Sequence, residues 1–181
     1  MATNAKTPRG SVYVGTYAKY NAGSLKGEWL DLDNYGSYAE FIDACKSLHA
    51  DEEDQDPELM FQYWETPWDG EINETGVSPS LWDLPEDDYD ARYLWAAQQV
   101  TGDALASLID RRVWESVRVI PCDYAHEAAQ AFLEDYLELM EVNPKDKAVI
   151  ALISAIDAER FYAGNGFDYS FVEGVGLVAV V

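Results

Sequence analysis

The sequence predicts an α+β protein built as three small units: a sheet-and-helix unit, a central helical unit and a second α+β unit. Three observations predict it. The 48% apolar and 13% aromatic content supplies enough burial for folded cores. Strand-forming stretches punctuated by turn residues lie toward both ends, and helical periodicity fills the middle. Gly/Pro and turn signals place the units at 11–66, 67–115 and 116–181, after a polar, Pro/Gly-bearing stretch at 1–10 that reads as a disordered tail.

In the first unit, residues 11–32 read as a β-hairpin. Val12, Tyr13, Val14 and Tyr17 are strand formers, Asn21-Ala22-Gly23-Ser24 is turn chemistry, and Gly27–Leu32 returns. Ser37 followed by Glu40 is a capping box. It opens a helix to about His49 with Phe41, Ala44, Cys45 and Leu48 on one face. Residues 51–56 read as an acidic loop and Leu59–Trp64 as a third strand.

Pro67–Val77 reads as a Gly/Pro-punctuated linker. Ser78-Pro79 starts a short turn through Leu84. Pro85 reopens a helix whose first turn is Glu86-Asp87-Asp88, where the helix dipole favours acids. Its apolar face is Tyr89, Tyr93, Ala96 or Ala97, and Val100; Gly102 ends it, and Asp103 is expected to cap a second helix from Ala104 to about Trp114. Ser116–Pro121 reads as a strand and Tyr124–Glu141 as an amphipathic helix. A further helix is expected over Lys145–Tyr162 after the Asn143-Pro144 break. A terminal hairpin follows, with arms 167–172 and 175–181, the second of which is either a core strand or an exposed edge.

Charge is the most informative quantity. Thirty-four acids face twelve bases for a net charge of −22. Residues 28–90 carry twenty of the acids and one base, Lys46. Such crowding destabilises a compact state by self-repulsion, so it calls for a reason. The bland reasons are solubility, a halophilic surface or divalent-metal binding; the sharp one is imitation of a polyanion.

Catalytic signals are weak. There is no nucleophile elbow, P-loop or dinucleotide fingerprint. Cys45/His49 and Cys122/His126 have a chelating i,i+4 spacing, but structural zinc sites draw on closely spaced cysteine pairs, and buried cysteine is the plainer reading. The stretch from Asp31 to Gly36 begins like a calcium loop yet has Ile42 where a bidentate Glu is required. With thirty-four acids some carboxylate pair always looks catalytic, so such pairs carry no signal. No enzymatic activity, metal or other cofactor is expected. No signal peptide or membrane span is read, and two cysteines are too few for a disulfide framework, so the cytosol is the expected location.

The candidate functional surface is therefore collective. On the 126–141 helix, Ala129, Phe132, Leu133, Tyr136, Leu137 and Met140 form the apolar face, and Glu127, Glu134, Glu138 and Glu141 lie opposite with no base between them. Three charges over about 10 Å of helix fall well below the one charge per roughly 1.7 Å of DNA, so several acidic elements are needed side by side. The chain supplies Asp51, Glu52, Glu53, Asp54, Asp56 and Glu58; Glu65, Asp69, Glu71 and Glu74; Asp83, Glu86, Asp87, Asp88 and Asp90; and Asp135 beside the helix glutamates. Its net charge at the spacing of DNA corresponds to about 37 Å, or roughly 11 base pairs, and an elongated chain of small domains would display it.

The residues also carry a resemblance. Val12-Tyr13-Val14-Gly15-Thr16-Tyr17-Ala18-Lys19-Tyr20-Asn21, Gly23-Ser24-Leu25 and Gly27-Glu28-Trp29-Leu30-Asp31-Leu32 resemble the opening of the ArdA antirestriction proteins. So do His49-Ala50-Asp51-Glu52-Glu53-Asp54 and Glu58-Leu59-Met60-Phe61-Gln62-Tyr63-Trp64-Glu65, with a looser likeness continuing through Ala158-Glu159-Arg160. The resemblance implies an elongated three-part homodimer, carried on plasmids, transposons or phages. It implies a DNA mimic that occupies the specificity and methylation core of type I restriction–modification enzymes, and it brings no catalytic residues. Direct nucleic-acid and membrane partners are not expected. The rivals are a metal-dependent acidic hydrolase, which predicts acids buried together around a metal, and an acidic binding module of halophilic type, which predicts even acid enrichment.

Overall fold

The computed structural model of the chain describes residues 7–50, 56–141, 156–166 and 168–181. It is α+β, with antiparallel sheets and helices packed between and beside them. Strand β1 (Ser11–Thr16) lies centrally between β2 (Glu28–Asp31) and β3 (Leu59–Glu65), antiparallel to both. The expected hairpin pairing is present, but helix α1 (Tyr17–Asn21) stands in its connection. Thr16 caps that helix by accepting from the Lys19 amide, so Tyr17 is helical despite its strand propensity.

The capping signal at Ser37 is realised in helix α2 (Tyr38–Leu48). The Ser37 hydroxyl accepts from the Glu40 amide at 3.2 Å, while the Glu40 carboxylate accepts from the Gly36 amide at 2.8 Å. Phe41 and Cys45 face the sheet, and Phe41 stacks between Phe61 and Trp82. Burial pushes the Cys45 thiol from 9.0 up to about 12. Folding thus favours the neutral thiol, and this stability is full below about pH 9 and declines as pH rises toward 12. Burial raises the phenols of Tyr17, Tyr35, Tyr162 and Tyr169 in the same direction. Urea midpoints are expected to fall from pH 9 to 10.5, and to fall less in a Cys45→Ala variant.

Two expectations are corrected in the next stretch. Residues 67–77 form no bare linker: Ile72–Asn73 (β4) and Gly76–Val77 (β5) pair as a small hairpin, and Trp68, Ile72 and Val77 are buried. Nor are residues 7–10 a free tail. The Trp68 indole donates to the Pro8 carbonyl at 3.0 Å, the Thr66 hydroxyl donates to the Arg9 carbonyl, and the Arg9 guanidinium bonds Asp33 and the Leu81 carbonyl. Gly10 adopts φ +111, and a Cβ there would meet the Glu65 carbonyl oxygen at 2.3 Å, so glycine is required where the chain enters β1.

A 3₁₀ turn over Pro79–Trp82 is capped by Ser78. Helix α3 (Asp88–Thr101) follows with Asp87 as its N-cap, a little later than the sequence suggests, and it ends at Gly102 in the left-handed region, φ +68. Its buried face is Ala91, Leu94, Ala96, Ala97 and Gln98; Tyr89, expected inside, is exposed. Helix α4 (Leu105–Asp110) is shorter than expected, and Asp103 does not cap it but pairs with Arg111. One buried cluster runs from Val12 and Phe41 through Trp68 and Leu81 to Leu94, Leu108 and Val113.

Strand β6 (Val117–Ile120) joins the terminal sheet. Helix α5 (Ala128–Leu139) packs on it through Ala128 and Phe132 and also buries Leu133, whereas Met140 is exposed. Helix α6 (Ala158–Asn165) corrects the expected 145–162 helix: residues 156–157 are not helical and the helix runs three residues past Tyr162, while residues 142–155 lie outside the described residues, as does most of the acidic loop at 51–56. The terminal hairpin forms as β7 (Ser170–Val172) and β8 (Gly176–Val180), and β8 is the central strand, between β6 and β7. Its residues are therefore core rather than edge. Among the described residues no helix is long and apolar enough to cross a membrane.

Candidate acidic partner surface

The acids of the candidate surface stand on several separate elements. At the start of α3, Asp87 accepts from the Tyr89 and Asp90 amides, so its carboxylate completes the helix while remaining exposed. Asp88 and Asp90 fill the first turn and Glu86 precedes it, exposed. On α5 the inward turn of Phe132 and Leu133 leaves Glu134 and Glu138 outside, with Glu141 exposed just beyond the helix. Glu134 accepts from the Gln130 side chain at 2.7 Å. Glu127 lies exposed in a 3₁₀ turn beside His126.

Around the first sheet, Glu58, Glu65, Asp69, Glu74 and Asp83 are exposed. Two of them are brought together. The Tyr17 phenol is raised first by burial, then by the Glu74 carboxylate that accepts its hydrogen bond, then by Glu58. Among the described residues, no base forms an ion pair with Glu58, Glu65, Glu74, Glu86, Glu134 or Glu138.

Three of the expected residues stand apart. Asp56 is bridged by Lys46 at 2.5 Å, whose ammonium is raised chiefly by that hydrogen bond. Asp135 pairs with Arg118 at 2.6 Å. Glu71 is a correction: it is only 9% exposed, and its Oε1 accepts from the Leu105 amide at 3.2 Å. It caps the start of α4, the role expected of Asp103, and presents no charge to a partner. Glu71→Ala is expected to cost about 1.5–3 kcal/mol in a urea melt, since an amide loses a charged acceptor, while Glu71→Gln retains most of the stability. Asp51, Glu52, Glu53 and Asp54 lie outside the described residues.

Sequence reasoning missed a further acidic group. The Tyr35 phenol is raised by burial, then by Cys45, then by the charges of Glu28, Glu40 and Asp31. Strand alternation gave no signal for this group, because it puts Glu28 on the face of Leu30 and Asp31 on the opposite face with Trp29.

The two Cys–His pairs sit in different surroundings. The His49 ring lies against Lys19 Nζ and the Val14 carbonyl, deep under β1. His126 stacks on Tyr124 in an open depression with Cys122, whose thiol is raised mainly by burial. Among the described residues no group of three His, Cys, Asp or Glu side chains is placed to hold a metal ion. What the arrangement offers is one-signed charge on rigid supports. The family model described as antirestriction protein (ArdA) matches residues 12–168. No curated protein matches the chain.

Proposed function

Because the chain belongs to the ArdA family of antirestriction proteins, we propose that it blocks restriction by imitating DNA. Its carboxylates occupy the DNA-binding groove of a type I restriction–modification enzyme, and it acts by occupancy rather than catalysis. The observation that carries this reading is the set of exposed acids just before α3 (Glu86 and Asp87), on β3, on the β4–β5 hairpin and on α5 that no described base neutralises. A groove evolved for phosphates is basic, so an acidic surface is steered to it and competes with DNA. Rigidity adds to this, because ordered carboxylates lose less entropy on binding than an acidic tail. The three-part layout and the homodimer belong to the same proposal, two chains offering about twice the roughly 11 base pairs of charge in one.

Competition tests it. The purified protein is expected to displace a DNA duplex from a type I methyltransferase core, with an apparent affinity that falls steeply as salt rises. Failure to displace DNA at low salt removes the proposal.

A further inference from the structure

The solvent-facing side of an antiparallel sheet is ordinarily polar. On the first sheet it is not. Trp29, Tyr13 and Tyr63 are register partners across β2, β1 and β3, and they form a row on the face opposite Val12 and Val14. Tyr63 is 68% and Trp29 46% exposed. The row is organised: Tyr13 meets Trp29 edge to face at 5.8 Å, and its hydroxyl donates to the Leu25 carbonyl. Two residues along the strands, about 7 Å away at the strand rise, Asp31 and Glu65 flank Ser11 as the next register row, both exposed.

We propose that this face is a second contact surface of the DNA mimic, on which arginine side chains of the inhibited enzyme stack over Trp29 and Tyr63 while their guanidinium forks engage Asp31 and Glu65. The inference rests on the proposed function and deepens it, for it adds to the carboxylates a place where planar cations lie flat. Arginine fits because its planar, weakly hydrated guanidinium stacks on aromatic faces and pairs bidentately with carboxylates. An apolar partner would bury Asp31 and Glu65 without compensation. Single-stranded nucleic acid would stack on the rings but meet repulsion from the acid row, where such binders carry positive grooves.

The test compares the wild type with a Trp29→Ala/Tyr63→Ala variant in displacement of DNA from a type I methyltransferase core. The variant is expected to compete tenfold or more weakly with an unchanged salt slope, and Trp29→Phe/Tyr63→Phe to retain most of the affinity. Hydroxyl-radical footprinting of the wild-type complex is expected to show Trp29 and Tyr63 protected, a result that does not depend on any variant folding. If the wild type displaces DNA but the alanine variant competes equally, or the rings stay reactive in the complex, the aromatic face is not a contact. If the wild type itself fails to compete, the mimic reading has failed instead. Loss of self-association in the alanine variant would assign the face to a second copy of the chain, and aromatic-dependent binding of a single-stranded oligonucleotide would assign it to nucleic acid; either overturns the inference.

Discussion

Trp68→Ala is expected to lower the unfolding free energy by about 3–5 kcal/mol, the range for removing a large buried aromatic. The side chain is fully buried inside the cluster that runs from Val12 to Val113. Its indole N–H also closes the N-terminal stretch onto the fold through the Pro8 carbonyl. Truncation therefore opens a cavity and orphans an acceptor together. For a chain of this size the melting temperature should fall by roughly 10 °C or more. Tyr89→Ala is the control: the residue is exposed, and its loss should change stability by no more than about 0.5 kcal/mol. A loss under about 1 kcal/mol at Trp68 would show that the cluster is not continuous through this residue. The half-buried Trp82 and Trp95 likewise donate their indole N–H groups, to the carbonyls of Tyr35 and Pro67.

What was legible in the sequence was what local chemistry decides. Ser37 with Glu40, Ser78 with Pro79, and Gly102 each work through neighbours within four residues, and all three act where expected. The strand formers of residues 11–14 marked β1, and the structure turns Val12 and Val14 inward. Trp68 was not legible, because its burial depends on partners some sixty residues distant and its flanking Gly and Pro read as linker. The face of α3 was legible in part: Ala96 and Ala97 are buried, Ala96 against Val172, Val175 and Val178, while Tyr89 stays outside. At the candidate surface, composition pointed to many carboxylates but not to which one is spent inside. Glu71 looks like its neighbours until its bond to the Leu105 amide is seen.

Neutralising Glu134, Glu138 and Glu141 together is expected to weaken competition with DNA by about threefold to a hundredfold, with a shallower dependence on salt. Exposed ion pairs are worth roughly 0.2–1 kcal/mol each, so Glu134→Gln alone should stay within about fivefold and the triple change should sum to roughly 0.6–3 kcal/mol. The second acidic group demands different substitutions. Asp87 caps α3, and asparagine keeps that cap while removing the charge, whereas alanine would cost about 1 kcal/mol of stability. The set Glu86→Gln, Asp87→Asn, Asp88→Asn and Asp90→Asn should therefore lose affinity with little change in melting temperature. Combining both sets should lose more than either, in graded fashion, because no single carboxylate holds the partner. The opposite outcome is equally informative. One neutralised acid that abolishes competition in a still-folded protein would mean a discrete site, and charge imitation spread over several elements would not describe this surface.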